Sequence, residues 1–282
     1  MPLAWITGAG GLIGNYLVRT GGKHASGWTI AALTREKLDI TDRSAVEKMF
    51  RAAKPQLVIH CAAISKSVVC EQNPSLARQI NVEATRHLSE LAADAHFIFF
   101  STDLVFDGRA GNYVEASAVN PLTIYGQTKV EAEQIVLRNP MHVVIRSSLN
   151  AGISPTGDRG FNEGMHRAWE SGKTLTLFTD EFRCPIHAAV TARAVWELAL
   201  GGRMGLYHLA GAERLSRLQI GEVLARRWPD VEARIEAASL KDYSGPPRSP
   251  DTSLNCARVQ ALLSFPLPAF TQWLRDNPHE PT

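Results

Sequence analysis

Short apolar runs alternate with amphipathic segments along the first half of the chain. The runs predict five buried strands, at residues 3–7, 28–33, 57–59, 97–100 and 143–145. The segments between them carry apolar residues at helical spacing and predict helices, among them residues 12–19 and 125–137. This alternation predicts a parallel α/β sheet that is covered by helices on both faces. Ligands of such sheets bind beyond the carboxyl ends of the strands, so candidate functional residues should follow the apolar runs.

Two of the predicted helices begin with capping signals. Ser44, with Glu47 three residues later, is typical of a capping box. Asn73 followed by Pro74 is typical of an N-cap and a proline in the first helical turn. We therefore expect one helix to start at Ser44 and another at Asn73.

A glycine-rich turn joins the first predicted strand to the first predicted helix. Gly8, Gly11 and Gly14 are spaced as G-x-x-G-x-x-G. Glycine permits a tight turn and leaves room for a pyrophosphate, which the open N–H groups of a helix N-terminus attract. Because a strand precedes this turn and a helix follows it, the pattern indicates a dinucleotide site at the glycines and at Leu12 and Ile13.

The alternation of apolar runs and amphipathic segments becomes less regular in the second half of the chain. Residues 151–160 are rich in Gly, Pro, Ser and Asp and predict a loop or hinge. We predict a doubly wound Rossmann sheet that forms an NAD(P)-binding domain over residues 1–150, and a smaller substrate-binding lobe over 151–282. Part of the lobe, about residues 187–212, is expected to return to the sheet. The second half predicts two helices and one strand, near residues 188–200, 218–227 and 206–209.

The second predicted strand ends at Thr34 and Arg35, where NAD-selective sites usually carry a carboxylate for the ribose. A hydroxyl and a guanidinium suit a 2′-phosphate instead, so NADPH is the expected coenzyme, with NAD as the alternative. Glu36 follows directly, and a carboxylate there argues against the prediction of NADPH. A solvated surface arginine is the other interpretation of Arg35.

Tyr125 and Lys129 lie four residues apart at a predicted helix start and share one face. The fourth strand ends nearby in the chain with Thr102, so a hydroxyl, a phenol and an ammonium are expected to converge. Reducing a ketone requires a proton donor, and a free phenol has a pKa of about 10. We expect Lys129 and the cationic nicotinamide to lower the pKa of Tyr125, and Thr102 to orient the carbonyl oxygen. The alternative to a catalytic role is that Tyr125 belongs to a capped helix start and that Lys129 is a solvated surface lysine.

Composition and charge limit the classes of partner that this chain is expected to bind. The chain has 282 residues, a formal net charge of +2 and no long basic run, so neither nucleic acid nor a membrane is expected as a partner. Its four cysteines are far apart and no zinc spacing occurs, so we expect free thiols, no metal and a cytoplasmic location. A homodimer remains open.

Several motifs together resemble the extended short-chain dehydrogenases/reductases, and more narrowly the dTDP-4-dehydrorhamnose reductase family. The matching segments span nearly the whole chain in the expected order. They are TGAGGLIG at 7–14, LDITD at 38–42, KPQLVIHCAA at 54–63, NVEAT at 81–85, STDLVFDG at 101–108, YGQTK at 125–129, DEFRCPIHA at 180–188, YHLAG at 207–211 and SLNCARVQALL at 253–263.

This resemblance implies hydride transfer from NADPH or NADH to a 4-keto deoxysugar nucleotide. It implies that Thr102, Tyr125 and Lys129 are catalytic. Further coenzyme contacts are implied for Asp39, Ile40, Cys61, Ala62 and Ala63. The expected substrate contacts are Asp103, Leu104, Leu149, Arg183 and His187.

Two departures from the family pattern concern the sugar pocket. Rhamnose-pathway reductases usually carry an aromatic residue where this chain has Leu104, and a tryptophan close to where it has Leu149. We therefore expect dTDP-4-dehydrorhamnose to be a poor substrate. A sugar-nucleotide dehydratase is disfavoured, because those enzymes need a glutamate at the position of Leu104.

Two alternative functions remain open. An NAD-dependent sugar-nucleotide epimerase uses the same tyrosine. The regulatory beta subunit of methionine adenosyltransferase also resembles these reductases and works mainly by binding a partner.

Overall fold

A six-stranded, wholly parallel sheet organises the chain, and the computed structural model describes all residues 1–282. The order β10-β5-β4-β3-β1-β2 reverses direction between β1 and β3. The strands, in chain order, are β1 (Leu3–Thr7), β2 (Thr29–Leu33), β3 (Leu57–His60), β4 (His96–Thr102), β5 (Val143–Ser147), β6 (Asn150–Ala151), β7 (Leu175–Phe178), β8 (Phe182–Arg183), β9 (Ile186–His187), β10 (Gly205–Leu209), β11 (Leu215–Ser216) and β12 (Ile235–Ala238).

Helices cover both faces of this sheet, which confirms the predicted Rossmann-type fold. A π-helical turn at Gln79–Glu83 continues one helix into the next. The α-helices are α1 (Leu12–His24), α2 (Arg43–Ala53), α3 (Ser67–Gln72), α4 (Pro74–Arg78), α5 (Ala84–Leu91), α6 (Ile124–Val136), α7 (Phe161–Glu170), α8 (Ala188–Leu200), α9 (Arg217–Arg227), α10 (Ala257–Gln260) and α11 (Phe270–Asp276). None of them is long and apolar enough to cross a membrane.

Alternation along the strands builds one core on each face of the sheet. In β4, Ile98 and Phe100 pack in the core shared with α1 and α8, whereas Phe97 and Phe99 pack in the opposite core. Because both faces of the strand are buried, its residues are apolar without interruption. This is the pattern that predicted the strand.

The two capping predictions have different outcomes. Asn73 caps α4 by accepting a hydrogen bond from the Leu76 amide at 3.0 Å, as expected. Ser44 does not cap α2, because Asp42 does so by accepting from the Ala45 amide at 2.9 Å. The Asp42 carboxylate therefore starts the helix earlier in the chain than we predicted.

The second half of the chain both extends the sheet and builds a smaller lobe. β10 pairs in parallel with β5 and forms one edge of the six-stranded sheet, and α8 packs beside α1. The lobe contains three short strand pairs, β7 with β12, β8 with β11 and β6 with β9. It lies at the end of the sheet where the parallel strands terminate, so the two parts enclose a cavity.

Candidate active site

A cavity of about 1810 Å³ opens at the carboxyl ends of the parallel strands. It extends from the glycine turn after β1 past the ends of β2, β3 and β4 to the second half of the chain. Open parallel sheets bind ligands at this edge, next to the point where the strand order reverses. The cavity is therefore the candidate functional site.

The glycine turn forms one end of the cavity. Gly8 has a φ of +68°, and a Cβ atom there would lie 2.6 Å from the Ala62 amide nitrogen. A Cβ at Gly14 would clash with the carbonyl oxygen of Gly8. Gly11 is the N-cap of α1 and offers no capping side chain, so the first-turn amides are left for a ligand. This turn fits the pyrophosphate of a dinucleotide.

Residues after β2 and β3 line the cavity next to the glycine turn. They are Thr34, Arg35, Asp39, Ile40, Cys61, Ala62 and Ala63. The Arg35 Nε atom lies 3.7 Å from the Asp39 Oδ2 atom, and both side chains are exposed. Hydrogen bonds from Thr41 hold the pKa of Asp39 below its ordinary value. The cavity thus brings together all the residues expected to contact the coenzyme.

Thr102, Tyr125 and Lys129 all line the cavity. Thr102 ends β4, and the other two lie one turn apart on α6. Gly126 permits the close approach of these elements, because a Cβ there would clash with the carbonyl oxygen of Leu104. All three predicted catalytic side chains are nearly inaccessible, with Lys129 2% exposed.

Burial shifts the pKa values of Tyr125 and Lys129. It raises the pKa of Tyr125, and the Thr102 hydroxyl acts in the opposite direction. It also lowers the pKa of Lys129 to about 7, an effect that the Glu133 carboxylate opposes. In the protein chain alone the pKa of Tyr125 is therefore raised and not lowered, because loss of solvation outweighs the hydrogen bond from Thr102.

Asp103 lines the cavity and contacts residues both at the end of β5 and in the lobe. Its Oδ2 atom accepts hydrogen bonds from Ser148 Oγ at 2.8 Å and Thr252 Oγ1 at 2.9 Å, and lies 3.8 Å from Arg183 Nε. Leu104 and Leu149 also line the cavity. Asp103 is thus held by residues of β5's end and of the lobe.

His187 is the exception among the expected substrate contacts. It does not line the cavity but caps α8, with Nδ1 accepting from the Ala189 amide at 3.2 Å. Its ring stacks on Trp273 with a centroid distance of 3.7 Å. Burial lowers its pKa to about 4, so the ring is neutral at neutral pH. The prediction for His187 is therefore corrected to a packing role.

Two arginines that we did not predict line the lobe side of the cavity. Arg217 and Arg248 lie there with Arg183. Glu181 pairs with Arg183 Nη2 at 2.8 Å and with Arg248 Nη2 at 2.7 Å. Burial lowers the pKa of Arg217 to about 10, so it remains charged at neutral pH. The only sequence signal was a capping box from Ser216, which places Arg217 at a helix start.

Comparisons with known proteins confirm the predicted resemblance. Residues 4–279 match the RmlD substrate binding domain family. The chain is 31% identical to a probable low-salt glycan biosynthesis reductase of Haloferax volcanii, over 94% of this chain and 93% of that protein. It is 27% identical to methionine adenosyltransferase 2 subunit beta of Xenopus laevis, over 92% of this chain and 82% of that one. A dTDP-4-dehydrorhamnose reductase structure from Clostridium acetobutylicum has a TM-score of 0.87 and 25% identity, over 98% of both chains.

Proposed function

This chain belongs to the RmlD substrate binding domain family, and we propose that it is a reductase that uses NADPH to reduce a keto group on a sugar nucleotide. One observation carries the proposal: Thr102, Tyr125 and Lys129 are buried together in the cavity that begins at the glycine turn. The similarity to a protein named as a glycan biosynthesis reductase supports the same activity.

The proposed reaction converts a carbonyl into an alcohol by adding a hydride to carbon and a proton to oxygen. Bound coenzyme supplies the hydride. Thr102 hydrogen-bonds the carbonyl oxygen, and Tyr125 donates the proton to the same oxygen as the negative charge develops. A phenol holds its proton at neutral pH unless its pKa is strongly lowered, and burial raises the pKa of Tyr125, so the proton that a reduction requires is present. Lys129 binds the ribose hydroxyls beside it.

The lobe side of the cavity supports a nucleotide sugar as the substrate. Three guanidinium groups, those of Arg183, Arg217 and Arg248, line it together with the carboxylate of Glu181. Guanidinium groups bind phosphate oxygens through charge-assisted hydrogen bonds. We infer that the diphosphate of a nucleotide sugar binds at this end, with the sugar toward Leu104 and Tyr125.

A second candidate function is a coenzyme-binding regulatory subunit. The similarity to methionine adenosyltransferase 2 subunit beta over 92% of the chain favours it. The buried Thr102, Tyr125 and Lys129 weigh against it, because partner binding has no need of a proton donor aligned with a hydroxyl and an amine.

The decisive experiment is NADPH oxidation with a panel of keto-sugar nucleotides. Turnover that Tyr125→Phe abolishes is the expected result. Coenzyme binding without turnover, together with a stable complex with a methionine adenosyltransferase catalytic subunit, would instead support the regulatory function. Interconversion of nucleotide sugars without net NADPH consumption would support an epimerase.

A further inference from the structure

The loop of residues 153–160 forms one wall of the cavity. Pro155, Thr156 and Arg159 line it directly. The loop starts against α1, where the Ile153 amide donates a hydrogen bond to Tyr16 Oη at 3.3 Å. Tyr16 lies one helical turn beyond the start of α1, so the loop begins close to the glycine turn.

Two neighbouring side chains of α7 hold this loop. Asn162 bonds both backbone groups of Gly152, at 3.2 Å to its amide and 2.9 Å to its carbonyl. Glu163 accepts from the amides of Ser154 at 2.7 Å, Arg159 at 2.9 Å and Gly160 at 2.6 Å. It also accepts from the Ser154 hydroxyl at 2.9 Å.

The Glu163 carboxylate is 4% exposed and forms no ion pair, so these donors alone compensate its charge. A capping box at the start of α7 accounts for the bond to Gly160 only. The bonds to Ser154 and Arg159 instead fasten both ends of a loop whose side chains face the cavity. Hydrogen bonds to an ionised acceptor are about twice as strong as neutral ones.

We propose that Glu163 is a positioning residue that holds residues 153–160 over the cavity, so that the Arg159 guanidinium faces the phosphate-bearing part of the coenzyme. The identity of that ligand rests on the proposed function. Lys66 lines the cavity as well and lies close enough to influence Asp158 of the loop. The Arg159 Nε atom lies 3.1 Å from Asp158 Oδ1, so a phosphate has to compete with that partly exposed carboxylate. Lys66 and Arg159 are nevertheless two cations that border the cavity, which suits an anionic dinucleotide.

The first test is Glu163→Gln. An amide places two N–H donors where a carboxylate oxygen accepts from backbone N–H groups, so the loop should detach from α7. Trypsin cleaves after arginine, and we expect much faster cleavage between Arg159 and Gly160 than in the unmodified chain. The dissociation constant of NADPH, from fluorescence titration, should rise roughly tenfold if the loop is ordered in about a tenth of the molecules. Glu170→Gln, an exposed change on the same helix, is the matched control and should change neither quantity.

The second test is Arg159→Gln, which leaves every bond to Glu163 in place and stays informative even if Glu163→Gln does not fold. We expect faster NADPH dissociation in stopped-flow measurements, with no change in thermal stability. Unchanged NADPH dissociation in Arg159→Gln, or unchanged cleavage and affinity in folded Glu163→Gln, overturns the inference. Failure of the unmodified chain to bind NADPH would overturn the proposed coenzyme and the role of Arg159, while the cleavage test still decides whether Glu163 holds the loop.

Discussion

Glu133 and Arg146 form a buried ion pair, with 2.7 Å between Oε2 and Nη2, one helical turn beyond Lys129. Ser101 donates a hydrogen bond to the same carboxylate. Ser101 and Arg146 are register partners on β4 and β5, so α6 is anchored to two adjacent strands at one point. This anchor therefore fixes α6, the helix that carries Tyr125 and Lys129, against the sheet.

The anchor predicts a large loss of stability for Glu133→Gln. The change leaves the Arg146 guanidinium buried without its counter-charge, which costs about 3–5 kcal/mol. Chemical denaturation should measure the free energy of unfolding. Glu131→Gln is the control, because its exposed pair with Arg78 contributes only about 0–1 kcal/mol. Equal effects of the two changes would show that the buried pair is not an anchor.

Tyr125→Phe should bind NADPH normally and lose nearly all turnover. Loss of a positioned proton donor costs on the order of 10²–10⁴ in rate. Steady-state kinetics and coenzyme titration measure the two effects separately. Tyr207→Phe, whose hydroxyl bonds only the Met204 carbonyl at the sheet edge, is the control. Activity of Tyr125→Phe within a few-fold of the unmodified enzyme would remove the phenol from the mechanism.

The lowered pKa of Lys129 predicts a dependence of stability on pH. Between about 7 and its ordinary value of 10.5, the unfolded chain holds a proton on this lysine that the folded chain lacks. The free energy of unfolding should therefore rise with pH across this window relative to Lys129→Met. Denaturation of both proteins at several pH values measures the difference. A pH-independent difference would mean that the pKa is not shifted.

The protein should bind NADPH more tightly than NADH, and Arg35→Ala should reduce this difference in affinity. The guanidinium lines the cavity 3.7 Å from Asp39, and the Arg35 side chain is 81% exposed, so only a weak surface pair competes with a 2′-phosphate. Fluorescence titration with both coenzymes measures the ratio of affinities, with exposed Arg51→Ala as the control. Tighter binding of NADH by the unmodified protein would contradict this prediction.

dTDP-4-dehydrorhamnose should be a poorer substrate than a related keto-sugar nucleotide. Leu104 and Leu149 line the cavity, and aliphatic side chains cannot offer an aromatic face to a sugar ring. The comparison of kcat/KM across a keto-substrate panel tests this. A value for dTDP-4-dehydrorhamnose within about 10⁴–10⁸ M⁻¹s⁻¹ would show that the two leucines do not restrict it.

Local patterns predicted the features that depend on neighbouring residues. Apolar runs indicated the sheet, and the spacing of Tyr125 and Lys129 indicated their shared helix face. The convergence of Arg217 and Arg248 could not be predicted, because it depends on how distant segments of the lobe fold together. The raised pKa of Tyr125 was missed for the same reason, since burial is a property of tertiary packing. His187 carried no local sign that it caps a helix.

The position of β10 has a consequence for how the chain folds while the ribosome synthesises it. This strand covers β5, whose backbone N–H and C=O groups would otherwise form an unpaired sheet edge that invites aggregation. Synthesis must reach Leu209 before that strand can pair. The six-stranded sheet therefore cannot be completed during translation until residues 205–209 have emerged, and a chain truncated after β5 should be prone to misassembly.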